Sequence, residues 1–169
     1  MAPRRQLRFD PIDEARRQWI AHGWSDAAPG MANVTSIMRA EQILLARADD
    51  ILRPFKLTFS RYEVLMLLLF SKRQQLPLGK VGERLQVGAA SVTNAIDRLE
   101  ASGLVLRQTN PDDGRGVLGC ITAEGKRLAL AATAELNAAL FEEVDFPTRE
   151  MNNLFKLLRT IRRSAGDFK

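Results

Sequence analysis

Near residue 104 the hydrophobic pattern of the sequence changes from the period of a helix to that of strands. Upstream, Val92, Ile96 and Leu99 recur at the spacing of one buried helical stripe. Downstream, the apolar runs 104–109 and 117–122 flank residues 110–116, which are rich in asparagine, proline, aspartate and glycine. The pattern therefore predicts a helix that is followed directly by a β-hairpin.

The N-terminal third of the chain reads as helical. Asp10 followed by proline is typical of a helix start, and this first helix is predicted to extend to about His22. Residues 25–31 contain aspartate, proline and glycine and are expected to form a loop. A long amphipathic helix is predicted over about 33–52, ending before Pro54.

Three more helices are predicted before the hairpin. Ser60-x-x-Glu63 is a capping-box pattern, and the apolar helix that follows it, to Phe70, is expected to be buried nearly all round. A short helix over about 79–85 and a tight turn lead to a helix over about 89–102. The order of helix, short helix, turn, helix and hairpin predicts a winged helix-turn-helix.

Two helices are expected after the hairpin. Thr122 is predicted to cap a long alanine-rich helix over 123–144, and a last apolar-faced helix begins at about Arg149. The predicted fold class is mainly α with a small β-hairpin, in which flanking helices surround a winged helix-turn-helix core. The sequence is interpreted as a single domain, 1–169, with a basic flexible arm 1–9, N-terminal helices 10–53, the winged module 58–122 and C-terminal helices 123–166.

In a winged helix-turn-helix, the second helix lies in the DNA major groove and its N-terminal residues contact bases. If Val92, Ile96 and Leu99 face inward, small polar side chains and one arginine face outward. Serine, threonine and asparagine suit contacts with base edges or phosphates. The predicted DNA-contacting residues are Ala90, Ser91, Thr93, Asn94, Arg98, the hairpin-tip Arg115 and Lys80 on the preceding short helix.

The arginines of this module have alternatives. Arg98 either contacts a phosphate or a guanine, or pairs with Asp97 or an acidic hairpin residue. Arg115 stands between two glycines and can enter a narrow minor groove, or it is a solvated turn residue that Asp113 orients.

Charge alone does not decide the partner. The formal net charge is +5 and the pI is about 9.9, which suits a polyanionic partner. Within residues 79–116, however, five basic residues balance five acidic ones. A winged helix that binds protein instead of DNA therefore stays an alternative, together with DNA contacts from the basic arm.

Several function classes are disfavoured by what the sequence lacks. One cysteine and one histidine offer no nucleophile–base pair with a choice of partners, and no phosphate-binding glycine loop or metal-ligand spacing occurs. We therefore expect no enzyme activity, no cofactor and no metal. No apolar run is long enough to span a membrane and no secretory signal is present, so a cytoplasmic protein is expected.

The hairpin and the helix before it resemble the MarR family of bacterial transcriptional regulators. The matching motifs are Asp113-x-Arg115 after Asn110-Pro111, then Ile121-Thr122-x-x-Gly125 with isoleucine in place of leucine, and the segment 91–105. The likeness covers nearly the whole chain in element order and is specific at the motif level from about residue 78 to 125.

The resemblance implies a homodimer that represses transcription at a pseudo-palindromic operator in double-stranded DNA and responds to a small aromatic or anionic effector. The apolar faces of the C-terminal helices agree with a dimer, because so small a winged module does not cover them. Likeness to the urate-responsive branch implies a ligand site of Trp19, Glu63 and Arg107. Glu63 stands where that branch has aspartate. Ala95 replaces an expected arginine, which removes one anion contact.

Two of these residues also have simpler interpretations. Trp19 can be a core aromatic residue. Cys120, in the second strand of the hairpin, is either an inert buried thiol or the sensor of a redox-responsive regulator, and reactive thiols require an electropositive, accessible setting.

Overall fold

The computed structural model describes residues 7–111, 113, 116–143 and 147–169. The chain divides into two compact units, Met1–Arg47 and Ala48–Lys169. In chain order the elements are α1 (Pro11–Ala21), α2 (Ala28–Leu52), a 3-10 turn (Arg53–Phe55), α3 (Phe59–Phe70), β1 (Gln75–Pro77), α4 (Leu78–Leu85), α5 (Ala89–Ala101), β2 (Val105–Thr109), β3 (Val117–Ile121), α6 (Ala123–Leu136), a π-helical turn (Asn137–Phe141) and α7 (Thr148–Ser164).

The first unit begins as the sequence predicts. The Asp10 carboxylate accepts hydrogen bonds from the backbone N–H groups of Ile12, at 2.8 Å, and Asp13, at 3.4 Å, and so caps α1. The predicted loop 25–31 is wrong in its second half, because α2 already begins at Ala28. Pro29 and Gly30 lie in its first turn, where a missing N–H group and a fixed φ disrupt no helical bond.

Helix α3 forms the centre of the second unit but differs from its prediction in two respects. Its N-cap is Thr58, whose hydroxyl accepts from the Arg61 N–H at 3.4 Å, so the Ser60-x-x-Glu63 capping box is wrong. Burial is also one-sided: Leu65 and Leu68 are fully buried, whereas Phe70 is 77% exposed. The reason is that α4, α5, α6 and the sheet cover only part of its circumference.

The helix-turn-helix forms as predicted. Helix α4 ends at Leu85, its C-cap Gln86 adopts a left-handed conformation with φ of 54°, and α5 begins after Gly88. Val92, Ile96 and Leu99 lie in the core, together with Val81 of α4. This packing fixes which side of α5 points to solvent.

The sheet has one strand more than the sequence predicted. Strands β2 and β3 form the expected antiparallel hairpin, with Val105 opposite Ile121 and Thr109 opposite Val117. Strand β1 adds to the free edge of β3, with Gln75 opposite Cys120, which gives the order β1-β3-β2. The predicted two-stranded hairpin is therefore part of a three-stranded sheet, because three residues are too few to show a period.

Thr122 caps α6 by accepting from the Gly125 N–H at 2.9 Å, as predicted. At Gly125 the helix passes so close to β2 that an added Cβ would overlap the Leu104 carbonyl oxygen. The α-helical part ends at Leu136, earlier than the predicted residue 144, and a π-helical turn follows. The predicted stripe residue Val144 lies outside the described residues.

Among the described helices, none combines the length and hydropathy that a membrane crossing requires.

Candidate nucleic-acid interface

The outward face of α5 carries the polar residues that the sequence singled out. Because Val92, Ile96 and Leu99 are buried, Ser91, Thr93 and Asn94 are left exposed in the first half of the helix. Ala90 and Arg98 are exposed as well. The helix thus presents small donors and acceptors at its N-terminal end, where a recognition helix meets base edges.

Arg107 of β2 joins the acidic residues of α5 to the sheet. Its guanidinium donates to Asp97 at 2.5 Å and to Glu100 at 2.6 Å, and its backbone N–H donates to Glu100 at 3.1 Å. The bond to Asp97 is the main cause that raises the pKa of Arg107, and the bond to Glu100 adds to it. One charge is therefore shared by two carboxylates that would otherwise repel a phosphate backbone.

Arg98 does not pair with Asp97, one of the two kinds of partner that the sequence left open, and the hairpin residue Asp112 lies outside the described residues. Asp97 binds Arg107 instead, and no carboxylate of a described residue lies within 4.0 Å of the Arg98 guanidinium. Arg98 lies beside Thr93, Asn94 and Ala101 on the exposed face. Its contact with DNA stays a prediction, but its charge is available for one.

The structure describes one of the two remaining predicted DNA contacts, Lys80, but not the other, Arg115. Lys80 in the first turn of α4 pairs with Glu83 at 2.7 Å; both side chains are mainly exposed, so this pair is weak. Arg115, the hairpin-tip residue, lies outside the described residues, as do Asp112 and Gly114.

A groove beside α5 contains residues that the sequence did not single out. It has a volume of about 530 Å³ and lies between the start of α3 and α5. Its α3 side is formed by Thr58, Ser60 and Arg61, and its α5 side by Ser91, Asn94, Ala95 and Arg98. The sequence did not single out Thr58, Ser60 or Arg61, because Ser60 was interpreted as a helix cap and nothing in the sequence indicates that the start of α3 lies beside α5.

The three residues of the predicted ligand site have distinct surroundings. Trp19 in the first unit is half-buried and packs edge-to-face with Trp24, with ring centroids 5.3 Å apart. Glu63 on α3 is exposed, although desolvation raises the pKa of its carboxyl. Arg107 is held by Asp97 and Glu100. The effector site stays a prediction.

Cys120 has the surroundings of an unreactive thiol. It is half-buried in β3, and its Sγ donates toward the Gln75 Oε1 at 3.5 Å. Burial raises the pKa of the thiol, which lowers the fraction of thiolate at neutral pH. The geometry favours the inert interpretation over a redox sensor.

The chain is similar to known regulators. The sequence profile of the MarR family matches residues 57–117. The HTH-type transcriptional regulator YhbI of Bacillus subtilis is 33% identical over 122 residues, which cover 69% of this chain and 75% of YhbI.

Solved structures agree with this match. Sco5413, a MarR family transcriptional regulator from Streptomyces coelicolor, is 48% identical with a TM-score of 0.77, and the match covers 83% of this chain and 98% of Sco5413. CouR from Rhodococcus jostii RHA1, solved with p-coumaroyl-CoA bound, is 27% identical with a TM-score of 0.66, covering 74% and 87%. These likenesses and the exposed polar face of α5 lead to one conclusion: the chain belongs to the MarR family of winged helix-turn-helix, DNA-binding transcriptional regulators.

Proposed function

We propose that this regulator is a homodimeric, sequence-specific repressor that a small aromatic or anionic effector releases from its operator. The observation that supports sequence-specific DNA binding is the exposed polar face of α5. The apolar stripe of this helix is buried in the core, while Ser91, Thr93 and Asn94 are exposed together. Among the described residues, we assign no structural function to this polar face.

The proposed DNA contacts are made by the residues that the sequence singled out. Ala90, Ser91, Thr93 and Asn94 at the start of α5 would read base edges in the major groove. Arg98 and Lys80 would contact phosphates or, for Arg98, a guanine. Arg115 would enter the adjacent minor groove from the tip of the hairpin.

The homodimer is supported by exposed apolar side chains on α7. Leu154, Phe155 and Ile161 are exposed by 45%, 60% and 52% and share one side of the helix with Met151 and Leu158. The part of α2 that belongs to the first unit likewise exposes Val34, Ile37, Met38, Ile43, Leu44 and Leu45. A second copy would cover these faces, so residues 10–53 and 123–166 would serve dimerisation around the winged module 58–122.

The effector is the least constrained part of the proposal. The proposed contacts are the Trp19 ring, the Glu63 carboxyl, whose pKa is raised by desolvation, and the Arg107 guanidinium, which would exchange Asp97 or Glu100 for an anionic ligand. The aromatic and anionic p-coumaroyl-CoA bound to CouR has this chemistry. As a regulator of chromosomal DNA, the protein would act in the cytoplasm.

The test is selection from a randomised duplex pool at near-physiological salt, with sequencing of what the purified protein retains. A two-fold symmetric motif with half-sites about 10 bp apart supports a dimeric reader of DNA. Retention without any enriched motif, or affinity that is insensitive to salt, contradicts sequence-specific binding and favours a winged helix that binds protein. Once the operator is known, aromatic acids are screened for those that release the protein from it.

A further inference from the structure

The groove between α3 and α5 has a composition suited to a phosphate group. We infer that it binds one phosphodiester of the DNA backbone on the α3 side of the recognition helix. Arg61, which lies outside the helix-turn-helix, would then be a DNA-binding residue. This inference rests on the proposed function, since it assumes that α5 enters the major groove.

The first argument is charge. The groove is lined by two arginines, three hydroxyl-bearing residues, an asparagine and an alanine, and by no acidic residue. The Arg61 Nε donates to the Thr58 Oγ1 at 3.2 Å, which directs the side chain along the start of α3. No carboxylate of a described residue lies within ion-pair distance of Arg61 or Arg98. Two uncompensated guanidinium groups in one groove favour an anion.

The second argument is position. Asn94 and Arg98 line both this groove and the exposed recognition face, so the two surfaces are continuous. A helix that fills a major groove about 12 Å wide has a phosphate backbone along each side. The side chains that flank α5 are therefore the ones that meet phosphates.

The third argument is the difference between the two sides of α5. On the β2 side, Arg107 is bonded to Asp97 and Glu100, so its charge is already compensated. On the α3 side, Arg61 and Arg98 have no such partner among the described residues. We therefore expect Arg61 and Arg98 to contact the DNA phosphate backbone on the α3 side of α5.

The experiment measures how DNA affinity depends on salt for the wild type, Arg61→Gln and Arg61→Lys. Each phosphate contact contributes about 0.9 to the slope of log affinity against log salt, so a dimer that loses two contacts has a slope shallower by about 1.8. The affinity ratio of wild type to Arg61→Gln should then shrink about 12-fold between 0.05 and 0.2 M salt. Arg61→Lys should restore most of the slope. Arg61→Gln should lower the affinity for every operator sequence by the same factor, because a phosphate contact does not depend on the base.

The matched control is Arg127→Gln, which removes an exposed arginine of α6 that pairs with Glu124. Because Arg127 lies in the proposed dimerisation region, sedimentation should show that the control remains dimeric, and thermal unfolding should show that all variants remain folded; its slope should then equal that of the wild type. A second readout uses duplexes with single neutral methylphosphonate linkages. One position per half-site should weaken the wild type but leave Arg61→Gln unaffected.

Other outcomes overturn the inference. An unchanged slope for Arg61→Gln, with wild-type sensitivity to every neutral linkage, means that the groove does not meet the backbone, while the DNA-reading function stands. Saturable binding of inorganic phosphate by the DNA-free protein that Arg61→Gln abolishes, with an unchanged DNA slope, assigns the groove to a free anion. Absence of selective DNA binding by the wild type removes the proposed function and this inference together.

Discussion

Gly125 marks a close approach between α6 and the residue that precedes β2. A Cβ at this position would overlap the Leu104 carbonyl oxygen and approach the Ile121 side chain. A backbone atom cannot rotate away as a side chain can, so α6 or β2 must move. We predict that Gly125→Ala lowers the free energy of unfolding by about 2–4 kcal/mol, measured by urea denaturation.

Gly79 is the control for this substitution. A Cβ there meets nothing within 4 Å, and the residue lies in the first turn of α4. Gly79→Ala should leave stability unchanged or raise it by up to about 1 kcal/mol, through helix propensity alone. Equal losses at both positions would contradict the close approach.

Substitution of Arg107 should affect DNA affinity more than it affects stability. Its partners are partly exposed, so Arg107→Gln should cost less than about 1 kcal/mol of stability. DNA affinity should nevertheless fall, because the carboxylates of Asp97 and Glu100 would then face the phosphates unneutralised. Titration of a labelled operator with the single variant and with Arg107→Gln/Asp97→Asn measures this.

The double variant decides whether charge is the cause. If repulsion by Asp97 weakens the single variant, removing that carboxylate should recover part of the lost affinity. An affinity as low as that of the single variant would instead indicate a direct or purely structural role for Arg107.

At the scale of elements, the first half of α5 is where base preference should reside. Asn94 is exposed there, and an asparagine amide can donate and accept in one bidentate contact. Asn94→Ala should relax the preference at one base pair of each half-site by about 1–3 kcal/mol, measured by repeating the selection. Asn152→Ala, on α7, should leave the selected motif unchanged; a uniform loss of affinity in Asn94→Ala would make it a phosphate contact.

The accuracy of the sequence predictions also varies by element. Helix α5 was predicted correctly because Val92, Ile96 and Leu99 face one core and repeat at one period. Strand β1 escaped prediction because its pairing partner lies more than 40 residues away, at Cys120. The start of α3 was misplaced because Thr58 and Ser60 are both good capping residues, and in the fold Thr58 takes the N-cap position.

The groove beside α5 shows why a site is harder to predict than its elements. Ser91, Asn94 and Arg98 follow from the face of one helix, which the sequence reveals. Arg61 joins them only because α3 packs against α5, and that contact depends on the fold. Periodicity within a segment carries no information about which other segment lies beside it.

At the scale of the whole molecule, the apolar side of α7 predicts the assembly. Completing the burial of Leu154 and Phe155, which are 45% and 60% exposed, would contribute about 1–2 kcal/mol each, and a carboxylate placed there opposes this. We predict that Leu154→Glu/Phe155→Glu weakens dimerisation at least 10-fold and that the variant sediments near the chain mass of 18.9 kDa. The wild type should sediment at about twice that mass.

Asn152→Glu/Asn153→Glu provides the matched control, because it adds the same two charges at exposed polar positions of α7. It should remain dimeric. A wild type that sediments as a monomer at micromolar concentration would contradict the proposed dimer without affecting the family assignment.

The half-buried thiol of Cys120 makes this chain convenient for spectroscopy. It is the only cysteine in the sequence, and its raised pKa slows reaction with maleimide or methanethiosulfonate reagents. A new cysteine at the exposed Ser102 would therefore take a spin label in preference to Cys120, without prior removal of the native residue. In a dimer, the two labels would report the separation of the recognition helices directly, and its shift on adding an effector would measure the allosteric movement in solution.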